Sequence, residues 1–334
     1  MIRFSVFLAF ALLLNPFFSQ KMNGISVHGV KYKPNFENYS YLAKSSNANW
    51  ASVQAFCFVK SPTSGVDFNR KDYWYSQTIE GIKLYIKNAK KQNLKVFLKP
   101  HTITQYANVW SGTFGCTTEK DWKKLELTYA KYILTLAEIA QENKVEAMSI
   151  GVEIDHFISK RKKFFNLLIK YVRIVYKGQL TYCANWDGIN KVDFWKQLDF
   201  IGIDSYFTLS TEKTPKLSDC KSQLKTIKNM LKSVSKGYNK KIVFTEFGFQ
   251  SRDYSGLNPW SWEKNKQTPV NLKAQSVCYQ AVLETFWGED WFLGGFSWKW
   301  HLDYSKSGGN YDNSYTPQNK PAEKTISDFY LTHL

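Results

Sequence analysis

Eight short apolar or alternating stretches punctuate the chain, at 24–29, 50–59, 95–102, 147–153, 180–186, 200–207, 242–249 and 294–301. Each is rich in β-branched or aromatic residues and brief enough to be a strand. Longer segments with helical periodicity separate them. The clearest span 73–92, 118–143, 162–176, 218–236 and 270–286, with weaker ones at 35–44 and 190–197. Strand followed by helix, eight times over, predicts an α/β fold with a parallel sheet, and eight units close into a single (β/α)8 TIM barrel. A doubly wound open sheet would show a glycine-rich first turn such as G-x-G-x-x-G, and none follows the first stretch. A tail through KSGGNYDN (306–313) leads to a last helix expected at 322–330, and no Pro-, Gly- or Ser-rich linker precedes the last strand. One domain is therefore expected over 21–334.

The first twenty residues stand apart from this rhythm. Arg3 gives a positive start, Phe4 through Leu14 is an unbroken apolar run, and Asn15-Pro16 ends it. That order reads as a secretory signal peptide over 1–20, cut near Ser19 or Gln20. The run is too short to span a bilayer as a helix. A secreted or periplasmic protein is expected, free of the membrane once the signal is removed. Five cysteines follow, an odd number, so at least one thiol is unpaired. Cys57 and Cys183 sit in apolar strand-like runs and are expected as packed core thiols.

The chain carries 45 Lys and Arg against 28 Asp and Glu, a net charge of +17. The excess is spread out, with its densest cluster at 160–163, the start of a helix-like segment. Nucleic-acid binding wants a concentrated stripe, so no nucleic-acid partner is expected. A monomer is expected.

In an α/β barrel, chemistry gathers at the C-terminal ends of the strands. Here those ends carry His28, Lys99, His101, Glu153, Asn185, Trp186, Asp204, Tyr206, Glu246, Trp298 and Trp300. Alternation places Ser149, Gly151 and Glu153 on one face of the fourth strand, with Met148, Ile150 and Val152 on the other. Glu246 ends an almost wholly apolar run, where a carboxylate is expensive unless it is paired or functional. Two carboxylates on different strands facing one cleft are what glycoside hydrolysis uses. Lys99 fits a charge partner for one of them. Phe296, Trp298 and Trp300 alternate onto one face, and Trp298 suits a platform under a sugar ring. Trp110, Trp260 and Trp262 lie in loops just beyond strands. His156 and His301 bring the strand-end histidines to four. A metal-dependent hydrolase barrel would want a His-x-His pair on the first strand and further histidines on the fifth and sixth, and these are missing. No metal and no cofactor are expected, and His28 and His101 fit sugar hydroxyls. A non-catalytic glycan-binding barrel stays open as the alternative.

The stretches VFLKPHT (96–102), SIGVEID (149–155), FIGIDSYF (200–207), VFTEFGF (243–249) and FSWKWH (296–301) resemble glycoside hydrolase family 113, the endo-β-1,4-mannanases, over roughly 22–302. This family lies within the clan of retaining barrel glycosidases. The resemblance implies that Glu153 is the general acid/base and Glu246 the nucleophile. Its substrate would be a β-1,4-mannan or related β-linked polysaccharide or oligosaccharide. One departure is Val152, where much of the clan has an asparagine that contacts the sugar 2-hydroxyl.

Overall fold

A computed structural model describes residues 20–106, 109–261 and 268–333. Eight parallel strands close into a barrel in sequence order. They are β1 (Met22–Val27), β2 (Trp50–Val59), β3 (Lys95–Thr104), β4 (Ala147–Val152), β5 (Gln179–Asn185), β6 (Ile201–Asp204), β7 (Ile242–Phe247) and β8 (Phe292–Trp300). The outer ring holds α1 (Glu37–Ser46), α2 (Ile79–Lys91), α3 (Glu119–Glu142), α4 (Asp155–Lys160), α5 (Lys162–Val175), α6 (Leu217–Tyr238), α7 (Leu272–Phe286) and α8 (Pro321–Thr332). Local chemistry sets many of their ends. Thr78, Thr118 and Asn271 accept backbone N–H groups at the starts of α2, α3 and α7. Asn47 and Asn239 take the left-handed conformation that ends α1 and α6.

One expected helix is absent. The segment 190–197 forms two single 3₁₀ turns, Ile189–Lys191 and Trp195–Gln197. Trp195 is fully buried there and its indole N–H donates to the Ile189 carbonyl at 3.1 Å. Ile189, Val192, Phe194 and Trp195, all buried in the outer core, cover the gap between β5 and β6 that a helix would otherwise fill.

The barrel has two cores. The outer one joins strands to helices, and Met148 and Ile150 belong to it. The inner one plugs the lumen with Met22, Trp50, Phe97, Ala147, Val152, Cys183, Phe200, Val243 and Phe296. Above the apolar floor the inward positions turn polar, with Ser52, Lys99, Ser149, Thr181 and Thr245 all buried. The lumen thus runs from a dry plug to a polar mouth at the strands' C-terminal ends.

Bulges in β4 and β8 are among those that change which side chains reach that mouth. Pairing of β4 with β5 slips between Ser149 and Val152. Within the slip the Gly151 N–H donates to Ser149 Oγ at 3.2 Å, and that hydroxyl donates to the Gly151 carbonyl at 2.6 Å. Val152 consequently packs in the inner core, not on the helix side where unbroken alternation would put it. On the other side, Ile25 pairs with Ser297 but Val27 pairs with Trp300, so β8 carries one residue more than β1. Trp300 therefore turns away from Phe296 and Trp298. It is fully buried in the outer core, its indole N–H donating to Ser297 Oγ at 2.7 Å, and it does not line the mouth.

Cys57 and Cys183 are buried, and all five cysteines are free thiols. Among the described residues no helix is long and apolar enough to cross a membrane. The N-terminal signal pattern lies almost wholly outside the described residues.

Candidate functional site

The mouth opens into a cleft of about 710 Å³. Its lining includes Glu153, Glu246, His28, His101, Asn185, Trp186, Asp204, Tyr206 and Trp298. Nine of the eleven strand-end residues singled out in the sequence therefore meet in one space. Lys99 lies just beneath it, and Trp300 is excluded by the β8 bulge.

Glu246 is held at both carboxylate oxygens. Near the end of β7, pairing with β6 skips a residue, so that Ile203 faces Phe244 but Asp204 faces Glu246. Thr245 and Glu246 then both reach the lumen. Lys99 donates to Glu246 Oε1 at 2.6 Å and Tyr206 OH donates to Oε2 at 2.7 Å. Both oxygens are occupied as acceptors and the carboxylate is fixed in one orientation. Burial, followed by the charge of Glu246, pushes the Tyr206 phenol well up, so it keeps the proton it donates.

Lys99 is wholly buried and also donates to Asp204 Oδ1 at 2.7 Å. Burial works against its ammonium, but Asp204 and Glu246 outweigh that and push it up. A buried cation between two carboxylates is tolerable only with such pairing. Asp204 Oδ1 also accepts from Thr245 Oγ1 at 2.7 Å, while its Oδ2 has no partner among the described residues.

Glu153 is built differently. Its backbone sits in the left-handed region, at φ 48°, one residue past the β4 bulge. The backbone is tied on both sides: the Glu153 N–H donates to the Cys183 carbonyl at 2.9 Å, and the Ile154 N–H to the Tyr182 hydroxyl at 2.9 Å. Among the described residues nothing hydrogen-bonds its carboxyl. Burial first, then Asp204 and Glu246, pushes that carboxyl well above the usual range, against the pull of Lys99. One face of the mouth thus offers a clamped carboxylate and the other a proton-holding carboxyl.

The histidines surround these groups in neutral form. Burial first, then Lys99, holds His101 well below its ordinary value. Burial, Lys299 and His301 bring His28 down to about 3, and burial with Lys299 brings His301 down to about 4. His301 packs edge-on against His28 with ring centres 4.7 Å apart. His156 lies elsewhere, tilted against the Trp122 ring at 6.2 Å. Among the described residues no group of three or more His, Cys, Asp or Glu side chains is placed to hold a metal ion.

Aromatic surfaces frame the cleft. Trp298 stands by His101, ring centres 6.2 Å apart. Across the mouth, Trp186 and Trp260 pair at 5.3 Å and 35°. Trp110 also lines the cleft and is nearly half exposed. Trp262 lies outside the described residues. Sequence reasoning missed Phe56, Asp187 and Tyr315 among the lining side chains. Phe56 falls inside the β2 run and looks like core. Tyr315 comes from the tail between β8 and α8, and no strand-end pattern points to it.

Comparisons with known proteins agree with the barrel architecture. The family model described as Glycoside Hydrolase Family 113 matches residues 31–320. A solved structure described as a complex of a GH113 β-1,4-mannanase superposes with a TM-score of 0.79 at 22% identity, covering 94% of this chain and 99% of that one. The GH113 β-mannanase AaManA from Alicyclobacillus acidocaldarius, in complex with ManMIm, gives 0.81 at 21%, covering 95% and 99%. A β-D-glucuronidase described for Dictyoglomus thermophilum gives 0.63 at 14%, over 93% of this chain and 50% of that one. No curated protein matches the sequence. The structural likenesses speak for the barrel alone, whereas the family model spans most of the chain, both strand-end glutamates included. On that match, the chain belongs to Glycoside Hydrolase Family 113.

Proposed function

We propose that the protein is a secreted, retaining glycoside hydrolase that cleaves β-1,4-mannan or a closely related β-linked glycan. The observation that carries this reading is the unequal pair of glutamates across one aromatic-lined cleft. Glu246, oriented by Lys99 and Tyr206, attacks the anomeric carbon. The bond to the leaving oxygen breaks as Glu153 delivers its proton to that oxygen. A glycosyl ester on Glu246 results. Glu153, now a base, takes a proton from water, the water oxygen bonds to the anomeric carbon, and the ester bond breaks to free Glu246. Net configuration is retained. Trp298 supplies a flat face beside Glu246 on which the attacked ring stacks.

The mannan assignment is supported by the mannanase titles of the similar GH113 structures. Secretion is supported by the signal pattern over 1–20. Product analysis on mannan, glucomannan, xylan and cellulose tests the substrate. Mannan and glucomannan are expected to release soluble oligosaccharides, in chelator as in its absence. Release from xylan or cellulose alone would overturn the assignment, and no release from any of the four would favour a glycan-binding barrel.

A further inference from the structure

Asp204 has no part in the catalytic scheme, yet it is the more deeply buried carboxyl beside Lys99. Its side chain is 1% exposed, against 8% for Glu246. Lys99 donates to Asp204 Oδ1 at 2.7 Å and to Glu246 Oε1 at 2.6 Å, with the Thr245 carbonyl as a third neighbour at 3.5 Å. Thr245 Oγ1 donates to the same Asp204 oxygen at 2.7 Å. Side chains from β3 and β7 therefore hold Asp204 in place without help from Glu246. The free protein thus buries one ammonium between two carboxyls. Burial pushes the Asp204 carboxyl up to about 7, Lys99 pulls it down, and Glu246 adds to the rise.

The reaction removes one of those charges. When Glu246 attacks, one of its oxygens bonds to the anomeric carbon, the bond to the leaving oxygen breaks, and the carboxylate becomes a neutral ester. Lys99 keeps its proton and, being wholly buried, has no solvent to replace the lost counter-ion. A buried ion stripped of its partner is strongly destabilising. With Glu246 neutral, the ammonium faces Asp204 as a one-to-one pair. We propose that Asp204 is a positioning residue that acts through Lys99, staying as its counter-ion when Glu246 becomes an ester and so lowering the barrier to ester formation. Asp204 matters least in the free protein, where Glu246 itself pairs the lysine, and most at the ester. The inference rests on the catalytic reading above.

The test times ester formation and ester release separately in Asp204→Asn. This variant keeps the side chain's shape and leaves the free protein a one-to-one pair of Lys99 and Glu246, so it is expected to fold. Asp204→Ser, smaller and also neutral, carries the same expectation. The probe is a dinitrophenyl 2-deoxy-2-fluoro-β-mannooligosaccharide, followed by its burst of released phenol. That leaving group needs no proton, so the effect of the substitution on Glu153 does not enter. Ester formation should slow by about ten- to a hundredfold, since part of the unpaired-charge penalty is already felt in the transition state. Release of the trapped sugar by azide needs no base and returns the charge to Glu246, so it should be at least as fast as in the wild type. A merely structural role predicts that both steps slow together and that Tm falls. Equal slowing of both steps, or unchanged ester formation in both variants, overturns the assignment and leaves the hydrolase reading standing. A wild type that neither traps the probe nor turns over any β-linked glycan overturns both.

Discussion

On the β7 side of the mouth, both oxygens of Glu246 meet donors, from Lys99 and from Tyr206. On the β4 side, the carboxyl of Glu153 has none among the described residues, and burial with two negative neighbours pushes it up. The two side chains share a residue type, a cleft and a strand-end position. They differ in what their strands bring beside them. β3 and the turn after β6 bring a lysine and a tyrosine to Glu246, whereas no donor reaches the Glu153 carboxyl among the described residues. One chemical group is thus held in two different environments, the difference on which the proposed division of roles rests.

Removing either carboxyl breaks the pair in a different way. Glu246→Ala should cost at least about 10⁴-fold in kcat on every substrate, since no group remains to form the glycosyl ester. Glu153→Ala should cost about 10²–10⁴-fold on mannan. With an aryl glycoside whose leaving group needs no proton, glycosyl transfer to Glu246 should be nearly normal in Glu153→Ala, visible as a burst of released phenol. Equal losses on both substrate types would erase the distinction between the two sides.

The tryptophans of β8 offer a second contrast, because the bulge sends them to different places. Trp298→Ala should lower kcat/KM roughly tenfold through lost stacking, with little change in Tm. Trp300→Ala removes a fully buried indole from the outer core and should destabilise by about 3–5 kcal/mol. Urea unfolding and kinetics on the same two variants separate them. Kinetic failure of Trp300→Ala at undiminished stability would put the β8 register in error.

A smaller effect sharpens the electrostatic side of the comparison. Glu153 must hold its proton to act as the acid, so the rate falls as pH rises through its pKa. That alkaline limb should lie well above the usual carboxyl range. Asp204 is the foremost negative neighbour raising it. Asp204→Asn should therefore move the limb of kcat/KM to lower pH. The mouth histidines are held low by burial, so they add no step at neutral pH. A limb that stays in place in Asp204→Asn would assign it to another group.

The barrel was legible in the sequence because its strands are buried on both faces and read as discrete apolar runs between periodic helices. Glu153, Glu246, Lys99 and Asp204 were legible as polar residues that apolar strands would not otherwise end on. The misplacements share one cause. Val152 and Trp300 were assigned by strict alternation, and each lies beside a bulge. A bulge is set by pairing with a strand distant in sequence, which a local pattern does not contain. The 190–197 segment failed differently, since its apolar residues at helical spacing serve two short turns around Trp195.

The division of labour between the two glutamates is tested most directly by trapping the covalent intermediate. A 2-deoxy-2-fluoro glycosyl fluoride carries a good leaving group and releases its sugar slowly, so the ester accumulates. Peptide mapping of the inactivated protein should find one sugar, on Glu246. A label on Glu153 or Asp204, or steady turnover with inversion of configuration and no label, would contradict the account.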